Sequence, residues 1–466
     1  MKYDMLFIHP SAHTFTPQFI MMPMGIFSLA GQLSDYNVKA VNIGLEMCLD
    51  KTFRLEQFLK QYEFDRVGID LHWHEHAYTS IETARLCKRI NPTCSVILGG
   101  FTASYFAEEI LHAYDFVDIV IAGEAEDALI ALLQNKELSS VPNLVYRENN
   151  RIKRTPVTPV SSLDTVNCAG LTKMHHWEEY LKCSIHGYTK TRFWHDFWLC
   201  TGRGCDYNCS YCGGSSDAQK RICGREKMTF RSPEAVVRDL AYLQNLGVHV
   251  VCPSHDIGLA GEKYWKKLFA LMKKEQIYMG MYLEVWQLPD KRFIEALADV
   301  CDPKFTTMVI TLLSGSETVR RKNGKYFSNQ DFYKRVHLIE KLHMNHAPYF
   351  ATGLPFETVE TFDKTISMTE KFLSQFNPCA IFCTPLRLDP GSPMYEDPAH
   401  YNIEKHYQSF TDYYIKCKKR AENSPYDALG YHTEFLDGAA IFTLQQKWEA
   451  ILRNHRVMAA DLLHFV

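Results

Sequence analysis

Short apolar runs alternate with segments of helical period from Met5 to about Leu133. The runs Met5-His9, Val38-Ile43, Arg66-Leu71, Ser95-Leu98 and Asp118-Ala122 have strand length and are rich in branched side chains. Between and after them, Met24-Leu33, Arg54-Tyr62, Tyr78-Ile90, Ser104-His112 and Glu126-Leu133 read as helices. Repeated strand-helix units predict an α/β fold, with a Rossmann-like, doubly wound parallel sheet over 1–134. Ligands of such a sheet bind beyond the carboxyl ends of the strands. The loops to inspect are therefore His9-Pro23, His72-His76, Gly99-Ser104 and Gly123-Glu126. Residues 135–190 lose the rhythm: Pro142, Pro156 and Pro159 interrupt it and polar residues dominate Arg147-Arg154, as expected of a linker.

A second alternation runs over 191–395. The aromatic run Lys190-Leu199 reads as its first strand, and the strands Val248-Pro253, Tyr278-Glu284, Thr306-Leu312, Pro348-Thr352 and Ala380-Pro385 follow. Helices are expected at Ser232-Leu246, Lys263-Lys274, Lys291-Val300 and Asn329-Leu342, the first with Ser232 as cap and Pro233 in its first turn. Residues 396–466 are helical in pattern and rich in Tyr, Phe and His, which predicts a helical cap over a substrate cavity. Within it Tyr413, Tyr414 and Trp448 suit a core as well as a substrate contact.

Composition narrows the class. The 466 residues are 46% hydrophobic and 23% charged, ordinary for a globular protein. A formal charge of -3 provides no basic field, so no nucleic acid partner is expected, and the run Lys416 to Arg420 reads as a solvated helix face. The 15 cysteines are irregularly spread and do not form a disulfide framework, which favours a reducing, cytoplasmic setting. MKYDMLFIHP lacks a signal-peptide pattern, and no apolar run is long enough to span a bilayer.

The chemistry concentrates in Cys200 to Ser215, CTGRGCDYNCSYCGGS. Cys205, Cys209 and Cys212 share one tight loop, and three thiolates suit three corners of a cubane iron-sulfur cluster with one iron left open. Gly202, Gly204, Gly213 and Gly214 let the backbone wrap closely around such a group. A zinc knuckle is the competing reading, but zinc takes four ligands in a closed site, and neither Cys200 nor Cys223 completes the set.

This spacing, with Tyr211 before the third Cys, resembles the radical S-adenosylmethionine (SAM) superfamily. The resemblance implies a [4Fe-4S] cluster on Cys205, Cys209 and Cys212, with SAM chelated to the open iron and cleaved to a 5′-deoxyadenosyl radical. It also implies a partial (β/α)6 barrel and a reducing partner such as flavodoxin or ferredoxin. By the same resemblance Tyr211 lies beside the cofactor and Gly213 and Gly214 border the methionine end of SAM. Glu284 would meet the ribose, Ser314, Glu317 and Arg320 the carboxylate and ribose, and Gly353 the adenine. For each of these a rim salt bridge or a helix cap is the alternative.

The order of Gly99-Gly100, Gly123-Glu124 and the cysteine loop resembles the cobalamin-binding subgroup of these enzymes. Gly99, Gly100, Thr102, Ser104, Gly123 and Glu124 would then cradle the corrin. The D-x-H-x-x-G pattern that places a His under cobalt in many cobalamin proteins is missing from the first loop; Asp70-Leu71-His72 begins it, but Glu75 stands where Gly belongs. The subgroup commonly uses another residue from the loop after the third strand. Trp73 is the expected one, with His72 and His74 as rivals, since a neutral imidazole ligates cobalt directly.

The function implied is a cobalamin-dependent methyltransferase acting on an unactivated carbon or phosphorus of a small-molecule substrate. By analogy, one SAM methylates the corrin and a second supplies the radical that activates the substrate. Cyclisation, rearrangement or oxidation with the same cofactors is the first alternative. A methylthiotransferase would need a second cysteine triad, and Cys48, Cys87 and Cys94 do not fall in suitable loops. A non-enzymatic cobalamin-binding module is the last alternative.

Overall fold

The computed structural model describes residues 2–11, 22–184, 187–188 and 196–455. The chain divides into two compact units. One comprises Met1–Arg192, Ser216–Met228 and Tyr407–Asp427; the other comprises Phe193–Ser215, Thr229–His406 and Ala428–Val466.

The first unit is built on a seven-stranded sheet: β1 Met5–His9, β2 Val38–Asn42, β3 Arg66–Asp70, β4 Ser95–Gly99, β5 Ile119–Ile121, β6 Leu144–Glu148 and β7 Arg151–Arg154. Its order is β2-β1-β3-β4-β5-β6-β7, parallel as far as β5 and antiparallel thereafter. All five residues of β1 are buried, as in a strand covered on both faces. The chain turns outward from β1 to β2 and then returns past it to β3. The crevice beyond the carboxyl ends of β1 and β3 is thus the topological switch point of a doubly wound sheet.

Three local features differ from the sequence expectation. Val38-Ile43 ends one residue early because the Asn42 side chain accepts from Gly44 N–H (2.9 Å) and starts the helix Ile43–Leu49, too short to show a period. The helix expected at Ser104-His112 is two short helices, Phe101–Tyr105 and Ala107–Ala113. The stretch Arg147-Arg154, expected to be linker, forms the β6-β7 hairpin. Its turn residues Asn149 and Asn150 both take positive φ (49° and 59°), the requirement of a primed hairpin turn. The helix Phe410–Ala421 also packs in this unit, against Ala77–Ile90.

The second unit holds six parallel strands: β8 Asp196–Leu199, β9 Val250–Pro253, β10 Gly280–Val285, β11 Thr307–Leu313, β12 Asn345–Thr352 and β13 Phe382–Pro385. They pair in chain order, the topology of an incomplete barrel. The expected start of β8 at 190–195 lies largely outside the described residues. Among the intervening helices, Pro233–Asn245 and Val359–Gln375 begin on side-chain caps: Ser232 Oγ accepts from Ala235 N–H (3.2 Å), and Thr358 and Thr361 form a capping box. The last helix, Gly438–His455, belongs here, and Trp448 is core: its indole N–H donates to Thr369 Oγ1 (2.9 Å). No described helix is long and apolar enough to cross a membrane.

Candidate functional site

At the switch point of the first unit, β1 ends in His9 and β3 ends in Asp70, and their side chains pair at 2.8 Å. The following loop divides its residues sharply. His72 and Trp73 face outward, Trp73 with 42% of its surface exposed. The rings of His72 and Trp73 meet edge to face at 4.7 Å. His74 turns the other way: it is buried, packs against Tyr413 at 4.9 Å and does not reach the open edge. His72 reaches solvent, yet the protein packed around its imidazole desolvates it and holds it below its usual pKa, against the opposing pull of Asp70. His76, buried beside His9, is pushed down to about 3.

The glycine turns fit this loop against the next strands. Gly100 has φ +107°, and a Cβ there would stand 2.6 Å from the His72 backbone nitrogen. Gly99 is the opposite case, since no atom lies within 4 Å of where its Cβ would be. Gly99 therefore leaves room for a flat ligand at the end of the sheet from which the loop carrying the exposed Trp73 departs. Thr102 and Ser104 are turned inward. Thr102 Oγ1 donates to His72 O (2.9 Å), Ser104 Oγ donates to Gly100 O (2.7 Å), and Ser104 Oγ accepts from Gly123 N–H (2.9 Å). Glu124 is also committed: its carboxylate takes Arg225 and Val160 N–H (2.7 Å). In the geometry Thr102, Ser104 and Glu124 tie the loops together, while His72, Trp73 and Gly99 stand at the open edge; Gly123 instead packs against Ile222 O, 3.1 Å from where a Cβ would be. The segment 12–21 of the first loop lies outside the described residues.

One anchor of the loop has no sequence signal. Glu75 is buried and paired with Lys416 Nζ at 2.6 Å and with Arg420, both on the helix Phe410–Ala421. The basic run expected to be a solvated face is so only at Lys418 and Lys419. Tyr413 is core, and Tyr414 donates to Glu82 Oε1 at 2.9 Å.

In the second unit the cysteine loop lies beyond β8. Cys209 is buried, and Cys205 and Cys212 are half-buried. Cys212 N–H donates to Cys209 O (3.1 Å) and Tyr207 N–H to Cys205 Sγ (3.4 Å). A second layer clamps the turn: Gly213 N–H donates to Asp389 Oδ2 (2.8 Å), Met394 N–H to Ser210 O (2.9 Å), and Ser210 pairs with Asn323. Gly324, at φ +92°, approaches so closely that a Cβ would lie 2.9 Å from Cys209 Sγ. Burial raises the Cys205 pKa and pushes Cys212 up to about 12, with Asp389 and the other thiols adding to it. Thiols with raised pKa in one clamped turn suit a strongly Lewis-acidic iron cluster, which deprotonates its ligands on binding.

The residues expected around SAM fall on one end of the second sheet but differ in freedom. Glu284 reaches solvent from the inner face, yet enclosure pushes its pKa up. Tyr211 is half-buried, and burial with the Cys209 and Cys212 thiols raises its pKa strongly. Arg320 is fully buried and already donates to Ser314 O (2.9 Å), Phe327 O (2.8 Å) and Asn329 Oδ1. A ligand carboxylate would have to replace one of these partners. Ser314 Oγ accepts from Ser316 N–H (3.1 Å), and Glu317 Oε1 accepts from Asn329 N–H (2.7 Å). Gly353, at φ +78°, donates N–H to Glu357 Oε2 (2.9 Å) and accepts from Tyr431 Oη (2.6 Å). Sequence reasoning passed over Asn323 and gave Asp389 no part in the cysteine loop, since each acts on a loop distant in the chain.

Residues 11–133 match the family model described as the B12 binding domain, and residues 199–369 match the radical SAM superfamily. An uncharacterized methyltransferase of Pyrococcus horikoshii is 22% identical over 75% of this chain and 73% of its own length. The anaerobic magnesium-protoporphyrin IX monomethyl ester cyclase of Cereibacter sphaeroides is 21% identical over 62% of this chain and 47% of its own. Among solved structures, the radical SAM methyltransferase TsrM of Kitasatospora setae, with cobalamin and a [4Fe-4S] cluster bound, superposes with a TM-score of 0.67. That match has 14% identity and covers 97% of this chain and 88% of TsrM.

Proposed function

We propose that this chain, which belongs to the radical SAM enzymes with a B12-binding domain, transfers a methyl group to an unactivated carbon (or phosphorus) of a small molecule. Its cofactors are a [4Fe-4S] cluster, SAM and cobalamin. When bound, the cluster and SAM supply a radical that removes hydrogen, and the corrin supplies a methyl group. In our reading Cys205, Cys209 and Cys212 hold the cluster, and Asp389, Asn323 and Gly324 keep their loop in shape. Glu284 orients the SAM ribose from the inner face of the barrel. Arg320 fixes the Ser314-Glu317 turn rather than gripping ligand. A flavodoxin-like or ferredoxin-like donor and a cytoplasmic setting agree with the need for reduced thiols.

The observation that carries methyl transfer is Trp73. An exposed indole, at the same end of the sheet as the open Gly99, would offer an apolar surface to the lower face of a corrin. A face without a strong lower ligand favours donating a methyl group. His72, its pKa lowered by desolvation, is the rival and would bind cobalt through nitrogen. The cobalt(II) electron paramagnetic spectrum of the loaded enzyme separates them: Trp73 predicts no nitrogen splitting, and splitting that vanishes in His72→Ala assigns His72 instead. The reaction class is tested with methyl-deuterated SAM, a low-potential reductant and fractionated metabolite extracts. Labelled methyl in a product, dependent on cobalamin, supports the proposal. 5′-Deoxyadenosine formation with a changed but unlabelled product supports the cyclase-type reading, which the cyclase relative favours.

A further inference from the structure

A second group of ligand-type side chains stands at the far edge of the first sheet. Glu46 sits one turn into the helix Ile43–Leu49, and its carboxylate is 3% exposed. His175 Nδ1 lies 2.8 Å from Glu46 Oε1, and His176 Nδ1 lies 3.0 Å from Oε2 and 3.2 Å from Oε1. One ligand atom from each of the three residues lies within 4.8 Å of the others. We propose that Glu46, His175 and His176 bind a divalent first-row transition ion of the zinc type.

Two adjacent histidines converge on one buried carboxylate only because the backbone is bent to bring them there. His175 N–H donates to Ala40 O of the edge strand β2 at 2.7 Å, which fixes the chain beside the sheet. His176 then takes φ +50°, an uncommon conformation for a residue with a Cβ, and turns its ring back toward Glu46. Phe58 braces the His175 ring edge to face at 5.2 Å, and the two imidazoles lie 4.0 Å apart. Without an ion, both imidazoles must carry N–H at Nδ1 to satisfy the one carboxylate. Both rings reach solvent, so each can move its proton to Nε2 and offer the Nδ1 lone pair inward.

The spacing suits a metal. Bonds of about 2.0–2.1 Å at tetrahedral angles place ligand atoms about 3.3–3.4 Å apart, and the 2.8 and 3.2 Å between Glu46 Oε1 and the two Nδ1 atoms need only a slight spreading. Two imidazoles and one carboxylate select borderline ions over magnesium or calcium, which prefer oxygen ligands. The site stands beside the edge strand β2, with β1 between it and β3. A bound ion would fasten the turn between the 3-10 helices Ala169–Lys173 and Trp177–Lys182 to the sheet edge.

The test loads the full chain, carrying its cluster and corrin, with Zn2+ alone, followed by desalting. Metal content is measured by mass spectrometry, and zinc K-edge absorption reports the neighbours. The expected result is about one zinc per chain with nitrogen and oxygen neighbours only, at about 2.0–2.1 Å. His176→Ala and Glu46→Gln should each weaken zinc retention at least tenfold, with iron content and corrin bands unchanged. His176 is half exposed, so its variant keeps the test valid if Glu46→Gln fails to fold. A sulfur shell at about 2.3 Å would locate the zinc on the cysteine loop and overturn the proposal. So would a chain that retains no zinc, or zinc retention unchanged in His176→Ala.

Discussion

Glu75→Gln removes the carboxylate that pairs with both Lys416 and Arg420. All three groups are nearly enclosed: the side chains of Glu75, Lys416 and Arg420 are 3%, 2% and 15% exposed. Breaking a buried pair by removing one partner costs about 3–5 kcal/mol, because a cation is left without compensation. The stranded lysine limits the damage by releasing its proton. For a free lysine at neutral pH that costs about 5 kcal/mol, so the penalty saturates there. At about 1.4 kcal/mol per factor of ten, the helix Phe410–Ala421 should open roughly 10² to 10⁴ times more often. Hydrogen exchange by mass spectrometry on peptides covering 410–421 and 77–90 reads this directly, without requiring a two-state transition of the whole chain. Arg420 also donates to Glu75 O at 2.9 Å, so the loop His72-His76 should exchange faster and corrin retention should fall. Lys418→Gln, on the exposed face, should change nothing. Lys416→Met in the Glu75→Gln background should restore part of the protection. Exchange in Glu75→Gln within about threefold of Lys418→Gln would refute the view that this triad fixes the loop.

Three further outcomes follow from the same geometry. Gly100→Ala should abolish corrin retention while leaving iron loading intact, since the positive φ alone costs about 1–3 kcal/mol and the new methyl meets the His72 backbone at 2.6 Å; absorption after desalting checks it. Iron loading of the apo chain should tighten up to tenfold per pH unit for each of Cys205 and Cys212 between pH 6 and 8, because burial keeps both thiols protonated and iron must displace the protons; a flat titration would count against it. Glu357, fully buried and pushed up to about 8, is neutral in the folded chain but ionised when unfolded above 4.5, so folding takes up a proton in that window. The second unit should therefore lose about 2–3 kcal/mol of stability from pH 6 to pH 8, and Glu357→Gln should flatten that slope in denaturant titrations.

Both sheets were legible because their signal is local. Met5–His9 and Val250–Pro253 are unbroken buried runs, and Ser232-Pro233 marks a helix start without help from the rest of the chain. The β6-β7 hairpin was missed although Asn149-Asn150 states its turn chemistry, because the charged strand Arg151–Arg154 lies at the sheet edge and lacks an apolar face. Around the candidate site, the cysteine loop and the glycine turns announce themselves, since chemistry and backbone conformation restrict the residue type. The supports do not. Asp389 serves Gly213 across 176 residues, and Lys416 serves Glu75 across 341. No spacing rule links such pairs. The same holds for direction: His72, Trp73 and His74 are equivalent in sequence, and only the packing of Tyr413 against His74 turns it inward. Thr102, Ser104 and Glu124 show the reverse, polar residues whose hydrogen bonds hold the turns instead of facing the open edge.

The pairing of a corrin with a SAM-cleaving cluster in one chain is tested most directly by anaerobic reconstitution with iron, sulfide and cobalamin. After desalting, an absorption spectrum is taken, and reduction with SAM and analysis of the nucleoside product follow. The predicted result is retained corrin bands, an iron-sulfur shoulder and 5′-deoxyadenosine, with the shoulder and the nucleoside lost in Cys209→Ala and the corrin kept. An iron-sulfur shoulder and SAM cleavage without retained corrin would contradict the account.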